Sequence, residues 1–368
     1  LREDGFAAGE GATYNVTGTQ TNAGTSDNTF TYTLNGNTKA ENYEIRKELG
    51  KLTVNPVTDE VIVKIKGNEK TETYDGTEKT VNGYKVTSIS NPLYAEGNIS
   101  FTGKAEAKGT NAGGYQMGLK KADFANTSTN FTNVKFEVED GKLTVSPREI
   151  TLTSATAEKV YDGTALINHI VTVTDGSFVT GEGAAYEVTG SQTDAGESEN
   201  TFTYELNEGT NANNYTIKTV YGKLKVTPVT QEVVVRIKGH TGSAKYDGEE
   251  HDVTGYDVES ISNPLYEDAD FTFSGKAEAK GTDANTYLMG LSLDDFTNAN
   301  DNFTNVTFEV TDGSLEITKR DVTLTSADGE KVYDGKPLTN HNVTVGGDGF
   351  VKEEGAEYDV TGDRKSVV

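Results

Sequence analysis

The chain of 368 residues has no cysteine and no tryptophan, and basic side chains are few. Without cysteine it can form neither disulfides nor thiolate-based catalytic or zinc sites. Its 33 Lys and Arg stand against 58 Asp and Glu, for a formal net charge of −25. Such a surface repels a phosphate backbone, so nucleic acid is excluded as a partner. No apolar run approaches the ~18 residues of a membrane span, so we expect no membrane insertion of this segment.

Most of the apolar side chains belong to strand-forming residue types, including 18 Tyr and 14 Phe. Nearly every segment with a clear period alternates by two, as Val61, Val63 and Ile65 do, which is typical of half-buried strands. No window of a dozen residues has a helical period. The nearest candidate, 293–305, is rich in Asn and Asp and is predicted to be a loop with a helical turn. The sequence therefore predicts an all-β protein.

One unit of 172 residues recurs along the chain without insertion or deletion. Four segments return at this offset: 9–34 at 181–206, 88–94 at 260–266, 103–110 at 275–282, and 148–155 at 320–327. Each unit divides into two related halves, called type A and type B here. Both halves begin with a strand that leads to Tyr-Asp-Gly and end with an alternating strand that follows a glycine. The halves are therefore interpreted as diverged copies of one small domain.

The repeat predicts three complete modules and two incomplete ones. B1 is the type-B module at 56–147, the A module is the type-A module at 148–227, and B2 is the type-B module at 228–319. Residues 1–55 match the C-terminal part of a type-A module, and residues 320–368 match the N-terminal part of another. The short strands and turn spacing fit small immunoglobulin-like β-sandwiches, with β-grasp modules as the alternative fold.

Proline, with only six residues in the chain, is confined to module seams and loops. Pro147 and Pro228 each stand between the last strand of one module and the first strand of the next. A linker this short gives little rotational freedom. We therefore expect the modules to follow one another end to end as an extended rod, and the incomplete ends to belong to a window cut from a longer array.

The Tyr-Asp-Gly motif occurs four times, once near the start of each half-unit that contains it. Asp-Gly is a strong signal for a two-residue hairpin turn, so we predict structural turns with a packed tyrosine. Each half is also predicted to close with a hairpin that turns at a glycine, as at Gly141. The predicted structural-turn residues are Tyr74, Asp75, Gly76, Tyr161, Asp162, Gly163, Tyr246, Asp247, Gly248, Tyr333, Asp334 and Gly335.

No residue pattern indicates a catalytic, cofactor or metal site. The four histidines form no i, i+4 pair, and the glycine-rich loops precede no helix. Asp294, Asp295 and Asp301 resemble a calcium loop, but the other copy lacks two of these acids, so a solvated loop is expected. We expect no enzyme and no cofactor. A Lys–Asn isopeptide crosslink, using a lysine such as Lys159 near the Tyr-Asp-Gly motif, remains an open alternative.

Tyrosine is the residue type best suited to recognition in this chain. Tyr94 and Tyr266 end the two SNPLY loops, where a ring could stack on a host glycan or pack on an extracellular protein. Packing beneath the loop is the alternative explanation. The incomplete ends predict another contact, because residues 320–345 of a second chain could supply the strands that 1–55 lacks, in a head-to-tail strand exchange.

The segments KVYDGT at 159–164 and NYTIKTVYGKLKVTP at 214–228, with their repeats, resemble the YDG/MBG-type repeats of bacterial surface adhesins. Those repeats occur in large cell-wall-anchored proteins of Gram-positive bacteria. The resemblance implies an extracellular, cell-wall location and a stalk that projects a distal binding domain. An adhesive module that itself binds host glycan, mucin or protein is the alternative function. The resemblance supplies no catalytic residues.

Overall fold

The computed structural model describes residues 5–359, and β-strands joined by turns account for its regular structure. The predicted all-β class is confirmed. Short 3₁₀ turns of three residues precede several strands, and in four of the six described turns an Asn or Asp side chain accepts a backbone hydrogen bond that stabilises the turn. One of them confirms the helical turn predicted within 293–305, but the loop prediction is wrong for Phe296–Asn298, which form a β-strand. The turns are Ala40–Asn42, Glu96–Asn98, Lys121–Asp123, Ala212–Asn214, Asp268–Asp270 and Leu293–Asp295.

The chain divides into two compact units. The first holds the chain up to Thr153 with Thr172–Tyr186 and Tyr204–Val220, and the second holds Ser154–Val171, Glu187–Thr203 and the chain from Tyr221 onward. B1 lies wholly in the first unit and B2 wholly in the second. The boundary passes through residues 148–227, and the two three-stranded sheets of that segment belong to different units.

B1 and B2 each contain ten strands in the same order. The strands of B1 are β5 (Val61–Gly67), β6 (Glu69–Thr73), β7 (Lys79–Asn82), β8 (Tyr84–Ile89), β9 (Ile99–Phe101), β10 (Glu106–Gly109), β11 (Gly113–Gln116), β12 (Phe124–Asn126), β13 (Val134–Glu139) and β14 (Lys142–Ser146). The strands of B2 are β23 (Val233–Gly239), β24 (Thr241–Lys245), β25 (His251–Thr254), β26 (Tyr256–Ile261), β27 (Phe271–Phe273), β28 (Glu278–Gly281), β29 (Thr286–Leu288), β30 (Phe296–Asn298), β31 (Val306–Thr311) and β32 (Ser314–Thr318).

Type-A strands make up the rest of the described chain. Residues 5–55 contain β1 (Ala12–Val16), β2 (Gly24–Asn28), β3 (Phe30–Leu34) and β4 (Gly50–Val54). Residues 148–227 contain β15 (Arg148–Ser154), β16 (Ala157–Val160), β17 (Val171–Asp175), β18 (Ala184–Val188), β19 (Gly196–Glu199), β20 (Phe202–Leu206), β21 (Tyr215–Val220) and β22 (Lys223–Thr227). Residues 320–359 contain β33 (Val322–Ser326) and β34 (Val343–Gly347).

Each B module has two three-stranded sheets and two two-stranded sheets. In B1 the three-stranded orders are β13-β5-β8 and β11-β14-β6, and β7 pairs with β10 and β9 with β12. B2 repeats this with β26-β23-β31, β24-β32-β29, β25-β28 and β27-β30. The first strand pairs parallel with β13 in B1 and with β31 in B2. The chain therefore enters a B module at one end and leaves it at the other.

Two hydrophobic clusters fill B2. The first joins Val233, Val235 and Ile237 of β23 to Phe271 and Phe296 of the two-stranded sheet β27-β30. The second joins Leu315 and Ile317 of β32 to Ala279, Met289 and Leu291. The alternation seen in the sequence produces this result, because every second side chain of a strand points to the same face. The residues Tyr256, Phe273 and Val310 pack against both clusters.

The predicted closing hairpin at Gly141 is wrong, because β13 and β14 belong to different sheets and do not pair. The glycine is needed for a crossing. A Cβ on Gly67 would lie 2.3 Å from the Gly141 nitrogen, so the first and last chain segments of B1 pass in backbone contact here. Gly239 and Gly313 repeat the contact at 2.4 Å. Only glycine permits two backbones to approach this closely.

The Tyr-Asp-Gly motifs form turns, but they are not the predicted two-residue hairpins. Gly76 has φ +81°, whereas Asp75 has no positive φ, and the strands on either side, β6 and β7, pair with other strands. The aspartate closes the turn. Asp75 Oδ1 accepts from the Thr77 amide at 2.9 Å, and the other three motifs have the same bond to the residue two positions on. Such Asx turns give the chain a sharp change of direction.

Candidate functional site at the module junctions

The contacts that join consecutive modules recur at the repeat offset. Where a type-A segment meets the following B module, an asparagine of the B module bonds the type-A loop. Asn130 Oδ1 accepts from the Ala23 amide at 2.6 Å, and its Nδ2 donates to Asn22 Oδ1 at 3.0 Å. In the second unit, Asn302 makes the same two bonds, to the Ala195 amide at 2.6 Å and to Asp194 at 3.1 Å.

An aromatic contact accompanies the polar one at the junction with B2. The ring of Tyr161, from a Tyr-Asp-Gly motif, meets Phe303 edge to face at 5.7 Å between centroids. Phe303 is 1% exposed and also packs on Tyr266 at 5.2 Å. Edge-to-face pairs of this kind contribute about 0.5–1.5 kcal/mol beyond area burial. The motif therefore supplies the side chain that packs on the next module.

A glutamate between two tyrosine hydroxyls forms the junction from B1 to the type-A residues that follow. Tyr74 donates to Glu182 Oε1 at 2.5 Å, and Tyr215 donates to the other oxygen, Oε2. The two rings meet edge to face at 5.6 Å, and the Val179 amide donates to the Tyr215 hydroxyl at 2.9 Å. Tyr74 is 3% exposed and Tyr215 7%, so both phenols are buried, whereas Glu182 itself is half-buried.

Burial and the carboxylate both shift these phenols. Burial, then the hydrogen bond to Glu182, raises the pKa of Tyr215 to about 12. The pKa of Tyr74 is raised for the same two reasons, with burial again the larger. Both hydroxyls therefore stay protonated, and remain donors, over the physiological pH range.

A buried asparagine completes this junction. Asn214 is 1% exposed, its Oδ1 accepts from the Ala112 amide at 2.8 Å, and its Nδ2 donates to Asn111 Oδ1 at 3.0 Å. The arrangement has the same donors and acceptors as Asn130 has with Ala23 and Asn22. Because an unpaired buried amide costs about 1–3 kcal/mol, Asn214 favours the one arrangement of segments that satisfies it.

The junction after B2 repeats the tyrosine–glutamate bond in a more open form. Tyr246 donates to Glu354, and Lys245 Nζ lies 2.9 Å from Asp348 Oδ2. Arg320 donates to the Tyr246 carbonyl at 3.1 Å. A cleft of about 260 Å³ remains between these groups, and Glu354 is exposed. The same residue types thus make a wetter contact here.

Sequence reasoning placed the tyrosines of the Tyr-Asp-Gly motifs in turns but missed Glu182, Asn214 and Asn302 as junction residues. One signal was available: Glu10, Glu182 and Glu354 are spaced by the repeat. The tyrosines that reach Glu182 and Glu354 from the preceding module lie 108 residues away in sequence, so this pairing has no local signature. Tyr333, in the last motif, is 94% exposed.

The candidate ligand tyrosines lie inside their modules. Tyr94 is 3% exposed and Tyr266 2%. The Tyr266 hydroxyl donates toward Asp270 O at 3.0 Å and Asn298 Oδ1 at 2.9 Å, and Tyr94 makes the equivalent two bonds. Neither ring presents a face to solvent in this structure.

The acidic loop and the motif lysine both bind to neighbouring side chains and backbone. Asp295 accepts from the Ser292 amide at 2.8 Å and so caps its own turn. Lys159 Nζ lies 2.5 Å from Asp162 Oδ1, which lowers the pKa of that carboxyl. No cluster of three or more potential metal ligands occurs among residues 5–359. Within the same range no helix is long and apolar enough to cross a membrane.

The two B modules differ in charge although they share one fold. B1 has 11 basic and 12 acidic side chains, whereas B2 has 6 and 18. The charged residues that line a cleft of about 420 Å³ on B1 are three lysines and one glutamate: Lys66, Lys70, Lys85 and Glu69. Lys66 pairs with Glu139 at 2.7 Å and Lys70 with Glu72 at 2.6 Å. In B2 the position of Lys85 is occupied by Asp257, so the cleft is basic in only one of the two copies.

No protein-family model and no curated protein matches the chain. Solved structures with partial similarity are tandems of immunoglobulin domains. The N-terminal eight Ig domains of Down syndrome cell adhesion molecule isoform 1.30.30 match 88% of this chain at 11% identity and a TM-score of 0.15. The titin I9–I11 tandem matches 70% at 13% identity and 0.16, and the N-terminal four Ig domains of Dscam1 isoform 1.9 match 84% at 11% and 0.15.

This chain covers 48% of the first of those structures, 99% of the titin tandem and 91% of the four-domain Dscam1 structure. The chain thus spans about half the length of the first match. TM-scores this low give no basis for transferring a property from those proteins.

Proposed function

We propose that the chain is a structural repeat region of a bacterial surface adhesin, a stalk that holds a distal binding domain away from the cell wall. One observation carries the proposal. The contacts between consecutive modules recur at the repeat offset, in the tyrosine–glutamate and asparagine–amide bonds. Selection for a ligand site would instead leave a shared solvent-open cleft, and the B1 cleft has no basic counterpart in B2.

The strand directions support the same role. In each B module the chain enters at one end and leaves at the other, so successive modules add length. A single proline, Pro147 or Pro228, then leads toward the next strand. The junction bonds restrict bending at that point, because bending would break some of the hydrogen bonds that Glu182 and Asn214 make across the junction. Location at the cell wall is part of this proposal and follows from the resemblance to YDG/MBG-type repeats.

Distance measurements between spin labels test whether a junction is held. The chain has no cysteine, so Lys104→Cys in B1 and Glu205→Cys in the type-A residues of the same unit give two unique label sites, both exposed. We expect a narrow distance distribution that broadens when Glu182→Ala is added. Glu205 and Lys104 make none of the junction bonds. A distribution that is already broad without Glu182→Ala would contradict the proposal.

A second candidate function, adhesion by B1 itself, is favoured by the basic cleft. Three lysines in a cleft of about 420 Å³ suit an anionic ligand, and a carboxylated or sulfated host glycan has that charge. Binding of the full chain to arrays of neutral, sialylated and sulfated glycans tests it. Selective anionic binding, abolished by Lys85→Asp and kept by Lys104→Asp, would support adhesion, and equal binding to neutral glycans would reject it.

A further inference from the structure

The first and the last strand of each B module occupy the centres of its two sheets. In B1, β5 lies between β13 and β8, and β14 lies between β6 and β11. In B2, β23 lies between β26 and β31, and β32 between β24 and β29. An end strand at a sheet edge would be held by one ladder of hydrogen bonds. Each of these end strands is held by two.

The type-A segment follows the same plan in each of its sheets. Its first strand, β15, lies between β17 and β21, and its last strand, β22, lies between β16 and β19. Central placement of the terminal strands is therefore a property of both module types. It survives the sequence divergence between type A and type B.

The terminal segments run parallel to each other along the whole B module. In B1, β5 and β13 pair from Val61 with Val134 to Lys66 with Glu139. The next strands continue the pairing, from Glu69 with Lys142 to Thr73 with Ser146. The crossing at Gly67 and Gly141 lies between these two ladders. The first and last segments thus remain neighbours from one end of the module to the other.

This arrangement determines how a force applied to the two ends of a module is distributed over the hydrogen bonds between its strands. Tension draws β5 toward its own start and draws β13 and β14 toward the end of β14. In a parallel pair these forces act along the strands in opposite directions, so all hydrogen bonds of the ladder are strained together. A hairpin pulled open across its strands would instead lose its bonds one after another. Tension applied between the ends of a module therefore loads these parallel hydrogen-bond ladders in shear.

Burial adds to the resistance. Val61, Val63 and Ile65 of β5 are between 0% and 2% exposed, and Leu143 and Val145 of β14 are 0% and 1% exposed. Sliding either strand would move these side chains out of their packed positions before water could replace the broken hydrogen bonds. The strands under load are thus also the strands with the largest packing cost for displacement.

We propose that these modules resist tensile force applied through their ends, and that the central terminal strands are the elements that hold it. This is a function beyond spacing, because a module could hold force even if its junctions bent freely. Resistance to tension suits a chain that is stretched between a surface and a ligand bound at its distal end. The force limit is a property of each module and needs no ligand.

Single-molecule pulling of the full chain in two directions tests the proposal. Thr230→Cys with Lys319→Cys loads B2 through its ends. Asp252→Cys with Lys280→Cys pulls apart two residues that face each other on β25 and β28. All four positions are exposed, so both double variants should keep the same melting temperature. We expect a several-fold higher unfolding force along the ends. Equal forces, or a lower force along the ends, would overturn the proposal.

A pair of core variants separates mechanical from thermodynamic stability. Ile237→Val lies on the terminal strand β23, and Phe296→Leu lies on β30, outside the terminal strands. Forced unfolding follows the unfolding rate along the pulled path. For the same loss of equilibrium unfolding free energy, we expect Ile237→Val to lower the force needed to unfold B2 through its ends more than Phe296→Leu does. Equal losses of force would show that the core as a whole, and not the terminal strands, sets the limit.

Discussion

Replacing Tyr74 by phenylalanine isolates the hydrogen bond at the junction after B1. The ring and its edge-to-face contact with Tyr215 remain, and only the hydroxyl that donates to Glu182 at 2.5 Å is lost. Hydrogen bonds to charged groups contribute about 1.5–3 kcal/mol when buried. Because Tyr74 is 3% exposed, water cannot easily replace the bond, and we expect a loss of about 2 kcal/mol in unfolding free energy.

Removing the acceptor should cost more. Glu182→Ala leaves the hydroxyls of Tyr74 and Tyr215 without their carboxylate, and each unsatisfied buried hydroxyl costs about 1–3 kcal/mol. We expect a total loss of roughly 2–6 kcal/mol in unfolding free energy. In that background Tyr74→Phe should have little further effect, so the double-mutant cycle should give a coupling of about 1–3 kcal/mol.

Urea unfolding followed by circular dichroism measures these values, with separate modules fitted as separate transitions. The chain provides its own control in Tyr246→Phe, which loses the equivalent bond to an exposed glutamate, Glu354, and should cost clearly less unfolding free energy than Tyr74→Phe. Equal losses of unfolding free energy from Tyr74→Phe and Tyr246→Phe would contradict a buried Tyr74–Glu182 bond. An equal loss from Tyr74→Phe with and without Glu182 would contradict it as well.

Three further outcomes follow from the same contacts. Gly313→Ala would place a Cβ 2.4 Å from Met289 Sδ and 2.5 Å from the His240 carbonyl, so we expect a loss of about 1–3 kcal/mol in urea unfolding, against almost none for Gly97→Ala, which meets nothing within 4 Å. The pKa of Tyr215 rises from 10.0 to about 12 on folding, so its contribution to the unfolding free energy should be complete below pH 10. That free energy should fall by about 2–3 kcal/mol between pH 10 and 12, and Tyr215→Phe should remove this fall. Strand β4 pairs only with β2 among the described strands, whereas its repeat equivalent β22 has two partners, so we expect residues 320–345 of a second copy to pair with β4. Sedimentation should then show concentration-dependent association, which Tyr333→Ala weakens and Tyr358→Ala does not. A protein that is monomeric at all concentrations would contradict this pairing.

The strands and their inward faces could be predicted from the sequence, because alternation such as Val61, Val63 and Ile65 directly encodes a two-faced strand. Which strands become neighbours could not be predicted in this way. Gly141 illustrates the limit, because a glycine between two alternating runs indicates a hairpin locally. In the structure the two runs pair with other strands, and Gly141 lies where the backbone passes in contact with Gly67. Pairing over seventy or more residues leaves no local pattern to read.

The junction residues were hidden for a related reason. Glu182 lies in a polar glycine-rich loop and by itself predicts a solvated charge. Its role comes from Tyr74, which reaches it from the preceding module. The tyrosines of the SNPLY loops show the opposite case, since Tyr94 sits in a loop by sequence and is buried in the structure. In both cases the partner that decides the role is distant along the chain.

Small-angle X-ray scattering of the dilute full chain tests the stalk account most directly. The run 61–73 of B1 is about 43 Å long at ~3.3 Å per residue, and three such modules in line give roughly 130 Å and a radius of gyration of about 40 Å. A compact protein of the same length would have a radius of gyration of about 21 Å. The account predicts the larger value with a rod-like profile. A value near that of the compact protein would contradict it.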